Sequence, residues 1–252
     1  MKDRIKQILS YSFGLVLVIS LISFASKRQS DRYVSDLNID IEVKDGYYFV
    51  DQQEVVQLIN AESEEYVLGL TLDQLDLKEL ERRVEENSFV RDAQVYLDIK
   101  GSLKIQLEQT RPLARLINYK NQGDRYVDED GNLLPLNSKH TARVPLVELE
   151  TEELWESNLF ENDLGADLMH MFKYIDQDEF WKAQIAHMIV DPKKEITMLP
   201  QVTKQEIQFG SAREIEQKFR KLKVFYKQIL PTKGWNTYAY VNVKYNNQIV
   251  CK

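Results

Sequence analysis

Twenty consecutive residues near the N-terminus, 7–26, carry no charge: QILSYSFGLVLVISLISFAS. As one helix this run spans about 30 Å, the thickness of a bilayer's hydrocarbon core. No polar stripe marks a solvent face, so a helix here does not suit the surface of a cytosolic core. Lys2, Arg4 and Lys6 precede the run, and Lys27 and Arg28 follow it. Tyr11 and Phe24 lie near its ends, where aromatic rings favour the membrane interface. The run predicts a single transmembrane helix over 7–26 behind a short tail, 1–6. A cleaved signal peptide is the alternative reading. Ser23-Phe24-Ala25 has a small-x-small form, and the most apolar part is only 13–22. The basic residues balance across the run and do not set its orientation. On either reading, everything after residue 27 is expected beyond the membrane. No second run of this length follows, so the chain spans once.

Composition narrows the chemistry. The 252 residues carry a formal net charge of -7. That balance argues against nucleic acid as a partner, because phosphate contacts need clustered Lys and Arg. The nine glycines lie at least eight positions apart, which leaves no GxGxxG, P-loop or GxSxG elbow. Cys251 is the single cysteine, so neither a disulfide framework nor a cysteine-built zinc site is expected.

Beyond a polar linker, 27–33, the pattern is regular. Leu37, Ile39, Ile41 and Val43 alternate with polar residues as in a half-buried strand. Asp51 with Glu54, and Asp76 with Glu79, have the spacing that opens helices. The second helix has a stripe of Leu77, Leu80 and Val84. Ala93, Val95, Leu97 and Ile99 predict one strand face and Leu103, Ile105 and Leu107 the next, joined by a turn at Lys100-Gly101-Ser102. The order is β-α-α-β-β over 34–108, an α+β domain. A mainly β domain with one long packed helix follows, 109–252. It has a hairpin around Asp128–Asn132 and strands over 185–190, 196–199 and 205–209. A helix is expected over 211–230, opened by a Ser211–Glu214 capping box and stopped by Pro231. Its stripe is Ile215, Phe219, Leu222, Phe225 or Tyr226, and Ile229. A strand over 238–245, a turn at Asn246-Asn247-Gln248 and a short last strand, 249–252, close the chain.

Several segments now stand in a recognisable order: Asp76-Leu77-Lys78-Glu79-Leu80-Glu81, Asn87-Ser88-Phe89-Val90-Arg91-Asp92-Ala93-Gln94-Val95, and Leu103 to Glu108 leading into Arg111-Pro112-Leu113-Ala114-Arg115. Tyr126-Val127-Asp128 with Gly131, and Tyr240-Val241-Asn242-Val243-Lys244-Tyr245, continue it. The chain resembles the FtsQ/DivIB family of bacterial cell-division proteins over essentially its whole length. Ser88 stands where the family commonly has Pro, the N-terminal tail is short, and residues 150–180 match only loosely. The resemblance implies a membrane span, a POTRA domain and a β-domain. It implies a non-catalytic scaffold of the division complex with its N-terminus cytoplasmic, its bulk periplasmic, and its place at the septum of the inner membrane. It further implies FtsB- and FtsL-like membrane-anchored partners held by the β-domain, and no cofactor or small-molecule substrate.

A physical mechanism fits. The last strand lies at the end of the sequence, and a strand paired on one side leaves free N–H and C=O groups for an added strand. Tyr245 offers an aromatic anchor beside it; ordinary core packing is the other reading. The expected partner-binding residues are Tyr245, Asn247, Gln248, Ile249, Val250 and Cys251.

Other features read as structural. Asp128-x-Asp130-x-Asn132 starts like a calcium loop, but Lys139 stands where the final carboxylate belongs, so a hairpin turn is expected. His140, His170 and His187 are scattered and lack an HExxH context. The acidic groups Glu62, Glu64, Glu65 and Glu148, Glu150, Glu152, Glu153 read as solvated loops or helix starts. The basic face of the 211–230 helix reads as solvated rather than lipid-bound. Two other classes remain open: a POTRA-containing part of an outer-membrane transport system, and a membrane-anchored periplasmic enzyme.

Overall fold

The computed structural model describes residues 13–20, 33–43, 46–61, 66–118, 123–150, 154–155 and 158–252. The expected tail 1–6, most of the expected span 7–26, the linker residues 27–32, and Glu62, Glu64, Glu65, Glu152 and Glu153 lie outside them. Residues 13–20 are helical, and Phe13, Leu15, Val16 and Ile19 are exposed. No helix among the described residues is long and apolar enough to cross a membrane. The chain divides into two compact units between Gln109 and Thr110.

The first unit is β1 (Asp36–Glu42), α1 (Gln52–Asn60), α2 (Leu77–Glu85), β2 (Val90–Leu97) and β3 (Ser102–Gln109). The strand order is β1-β3-β2, with β1 parallel and β2 antiparallel to β3. Asp51 and Glu54 form a full capping box on α1. At α2 only half of one forms: the Asp76 carboxylate takes the Glu79 N–H, while the Glu79 carboxylate turns to Arg82 and Arg83. Val55, Ile59, Leu80 and Val84 from the helices bury against Ala93, Val95, Leu103, Ile105 and Leu107 from the sheet. The buried Gln109 side chain fixes the segment before α1. Its Oε1 accepts the N–H groups of Phe49 at 2.8 Å and Val50 at 2.9 Å.

Ile99 departs from the expected strand face. It lies beyond β2 in the turn to β3 and is 94% exposed. The Asp98 carboxylate accepts from the Lys100 and Ser102 N–H groups, and Gly101 takes positive φ, so the turn begins two residues earlier than the alternation implies.

The second unit holds a nine-stranded mixed sheet. Its strands are β4 (Pro112–Asn118), β5 (Arg125–Asp128), β6 (Leu133–Leu134), β7 (Leu146–Leu149), β8 (Ile185–Val190), β9 (Ile196–Pro200), β10 (Glu206–Gly210), β11 (Tyr240–Asn242) and β12 (Val250–Cys251). Their spatial order is β12-β11-β10-β9-β8-β7-β4-β5-β6. Residues 150–180, unassigned in the sequence reading, supply a 3-10 turn (Leu159–Glu161), all of α3 (Asp163–Gln177) and the start of α4 (Glu179–Gln184). The Asn162 side chain caps α3 by accepting from Leu164 and Gly165 N–H groups. Leu168, Phe172, Trp181, Phe219 and Leu222 join Val147, Met188, Met198, Phe209 and Val241 in one core.

Two expectations for the long helix are corrected. It begins as α5 (Ile215–Val224) with Glu214 in a left-handed conformation, φ 53°, and no side-chain cap. The Ser211–Glu214 capping box is absent because Ser211 is engaged elsewhere: its carbonyl accepts from buried Lys218 Nζ at 2.7 Å and its hydroxyl lies 3.3 Å away. Nor does Pro231 stop the helix. A π turn, Phe225–Ile229, carries it into Leu230–Lys233, where proline lies in the first turn and needs no N–H donor. The wider turn also buries both Phe225 and Tyr226, where a regular stripe offers room for one.

Candidate functional site

The end of the nine-stranded sheet is built on β11. Tyr240 and Lys252 exchange both backbone bonds, N–H to O at 3.1 and 3.2 Å, and Ala239 N–H also reaches the Lys252 carbonyl. Val241 faces Cys251 and Asn242 faces Val250. Hydrogen-bonded pairs alternate along an antiparallel ladder, so the Cys251 N–H and C=O point away from β11. Among the described residues no strand lies on that outer side. Strand addition needs this arrangement.

Residues 243–249 form the connection that presents β12. Val243 N–H bonds to the Gln208 carbonyl at 3.1 Å, and Asn242 Nδ2 bonds to Gln208 Oε1 at 2.8 Å. Asn247 supplies the left-handed turn, φ 58°. From α5, Lys221 Nζ donates to the Tyr245 carbonyl at 2.7 Å and to the Val243 carbonyl. Burial lowers the Lys221 pKa from its ordinary value and raises that of the Cys251 thiol. Between α5 and the connection runs a groove of about 410 Å³, lined by Arg220, Lys221, Val224, Asn247, Gln248 and Ile249.

The six residues expected at this site are therefore grouped on β12 and its connection. The Tyr245 side chain is 53% exposed, which removes the core reading of it. Ile249 and Cys251 are partly buried against the core. Sequence reasoning missed Arg220, Lys221 and Val224. Their one-turn spacing on a helix was visible, but nothing in the pattern places that helix face beside the C-terminal hairpin.

The edges of the first unit are treated differently. Glu81 Oε1 accepts the Val95 N–H at 2.9 Å, and Glu85 Oε1 the Ala93 N–H at 3.3 Å. On the opposite edge Gln52 Nε2 donates to the Ile39 carbonyl at 3.0 Å. Side chains so placed occupy groups that another strand would need.

The remaining candidates fall to structural roles. Asp128 is buried, and its carboxylate accepts the N–H groups of Asp130 and Asn132, which makes a hairpin turn. No group of three or more His, Cys, Asp or Glu residues suited to a metal exists among the described residues. Glu148 is corrected: it lies in β7, inside the sheet, 3.6 Å from His187. The basic face expected over 211–230 is exposed at Arg213, Arg220 and Lys227, and the apolar stripe is buried in the core; the departures are Lys218, which is buried, and Lys223, which pairs with Asp178 at 2.9 Å.

Among the described residues the sheet ends in a strand with a single neighbour, the kind of edge to which another strand can add. Residues 111–252 match the family model described as FtsQ/DivIB, C-terminal related, and residues 32–108 match the POTRA-like domain. The first match spans more than half of the sequence, and the chain belongs to the FtsQ/DivIB family. Its role is that of a cell-division scaffold among other division proteins. No curated protein matches the chain.

Proposed function

We propose that the chain is a single-pass, non-catalytic divisome scaffold that captures FtsB- and FtsL-like partners by adding a partner strand to β12. In this reading residues 7–26 anchor the chain in the inner membrane with 1–6 in the cytoplasm. Residues 27–33 are the linker, 34–108 the POTRA domain and 109–252 the binding domain, both periplasmic and gathered at the septum. The uncharged run and its helical part at 13–20 support the anchor.

The observation that carries the binding reading is the outward-facing Cys251 backbone on a strand with one neighbour. Tyr245, in the connection, and Val250, in β12, are exposed, and a partner strand gains backbone bonds from the edge and register from side chains along it. Pull-down of partner ectodomains by the full chain, and by a chain lacking Ile249–Lys252, tests this. The shortened chain is expected to keep its cooperative unfolding and lose capture. Undiminished capture overturns the reading. A fluorescent fusion is expected at midcell in dividing cells, and uniform membrane fluorescence contradicts the septal assignment.

A further inference from the structure

Three segments of the first unit converge where the chain enters it. Tyr33 bridges Thr71, Val34 N–H donates to the Leu70 carbonyl at 2.9 Å, and Gly69 N–H donates to the Val34 carbonyl at 3.2 Å. Ser35 N–H reaches the Gly101 carbonyl at 3.4 Å, which ties the tip of the β2–β3 hairpin to the same place. Large apolar side chains stand exposed around this junction: Ile99 at 94%, Tyr33 at 63% and Leu68 at 42%. Lys100 is exposed beside Ile99 at the hairpin tip.

Single exposed apolar residues are commonplace, but three at one end of a small unit, beside an ammonium, are not scattered. An exposed isoleucine at a turn adds nothing to the core beneath it. Its chemistry suits the zone where acyl chains meet headgroups, as does a tyrosine with an apolar ring and a polar tip. A lysine there meets anionic lipid. Chain length sets the distance. Residue 26 ends the uncharged run, and Tyr33, which bridges Thr71, follows seven residues later. Fully extended, seven residues reach about 25 Å. An anchored run therefore holds this end of the unit, rather than another, close to the bilayer surface.

We propose that Tyr33, Leu68, Ile99 and Lys100 form a lipid-contacting end by which the first unit rests in the headgroup region of the membrane. The proposal rests on the reading of 7–26 as an anchor. It gives the unit a fixed end toward the bilayer, where a bare tether leaves it to tumble.

The full chain carrying Cys251→Ser and one new cysteine, Ile99→Cys or Leu68→Cys, is labelled with an environment-sensitive fluorophore. It is reconstituted into vesicles of phosphatidylcholine and phosphatidylglycerol containing a headgroup-level spin-labelled lipid. Ser88→Cys, exposed before β2 and about 30 Å along the strand from the tip, is the reference. The expected result is flotation with the vesicles and quenching at 99 and 68 at least about threefold that at 88. The Leu68 probe reads the same end with Ile99 intact. Flotation with equal, water-like signals at all three sites overturns the proposal and leaves the anchor standing. Failure of the full chain to float overturns both.

Discussion

The Lys221 ammonium on α5 lies 2.7 Å from the carbonyl oxygen of Tyr245, seven residues before Lys252. The same ammonium also takes the Val243 carbonyl, so one side chain joins the helix to the connection that presents β12. Charge-assisted hydrogen bonds are the stronger kind, and two from one group fix a loop's position as well as its energy.

Lys221→Met should therefore cost about 1–3 kcal/mol of stability, since it takes a charged donor from the carbonyl of buried Val243 as well as from that of exposed Tyr245. Partner affinity should fall about tenfold through looser presentation of the edge. Lys221→Arg keeps two donors and should restore most of it. Titration calorimetry of both variants, beside thermal unfolding, separates the effects. Wild-type affinity in the methionine variant counts against a positioning role.

Arg111 bridges Glu129 and Asp176 at 2.5 and 2.7 Å, and Lys182 approaches Asp176 at 3.0 Å. Burial pushes the Asp176 carboxyl up, but Arg111 and Lys182 outweigh it and hold it below the usual carboxylate range. A folded-state pKa below the unfolded value of about 3.9 adds stability above that pH, and the gain is lost as pH falls through the folded value. The stability of the second unit should accordingly decline below about pH 4. Asp176→Asn should cost about 1–3 kcal/mol at neutral pH and flatten that acid limb. Urea unfolding as a function of pH reads both.

Glu81 and Glu85 occupy the outward N–H groups of β2. Replacing both with Ala should leave these donors open, and light scattering should show self-association that the wild-type chain lacks. A monodisperse double variant at equal concentration means the two carboxylates do not guard the edge.

Gly165 sits at the start of α3, and a Cβ there would run into the Leu159 carbonyl of the preceding turn. Gly165→Ala should destabilise by about 1–3 kcal/mol through overpacking, although alanine is the better helix former. Calorimetric unfolding that shows a stabilised variant contradicts that packing.

Local signals were read well wherever the chemistry is local. Asp51 with Glu54, the alternation of Leu103, Ile105 and Leu107, and the Asp128 turn each announce themselves within a few residues. The misreadings come from contacts that the local pattern does not carry. Ser211 looked like a cap, but the ammonium of Lys218, seven residues on, takes its carbonyl. Pro231 looked like a stop, but the π turn shifts the frame so that proline fits. Val147 and Leu149 were masked by Glu148 and Glu150, although they lie in the core of the sheet. Asn162 before Leu164, Leu168, Phe172 and Ile175 was a legible helix signal in the loosely matching region. At the edge proposed for binding, the strand could be read from residues 249–252, whereas the groove beside it depends on tertiary placement of α5.

Amide hydrogen exchange at Cys251 tests strand addition most directly, because its N–H faces outward and is bonded only if a partner strand arrives. Exchange in the free chain should be fast, and saturating FtsB-like ectodomain should slow it by about 100-fold or more. Rapid exchange at Cys251 in a complex that is otherwise fully formed would show that the partner binds elsewhere.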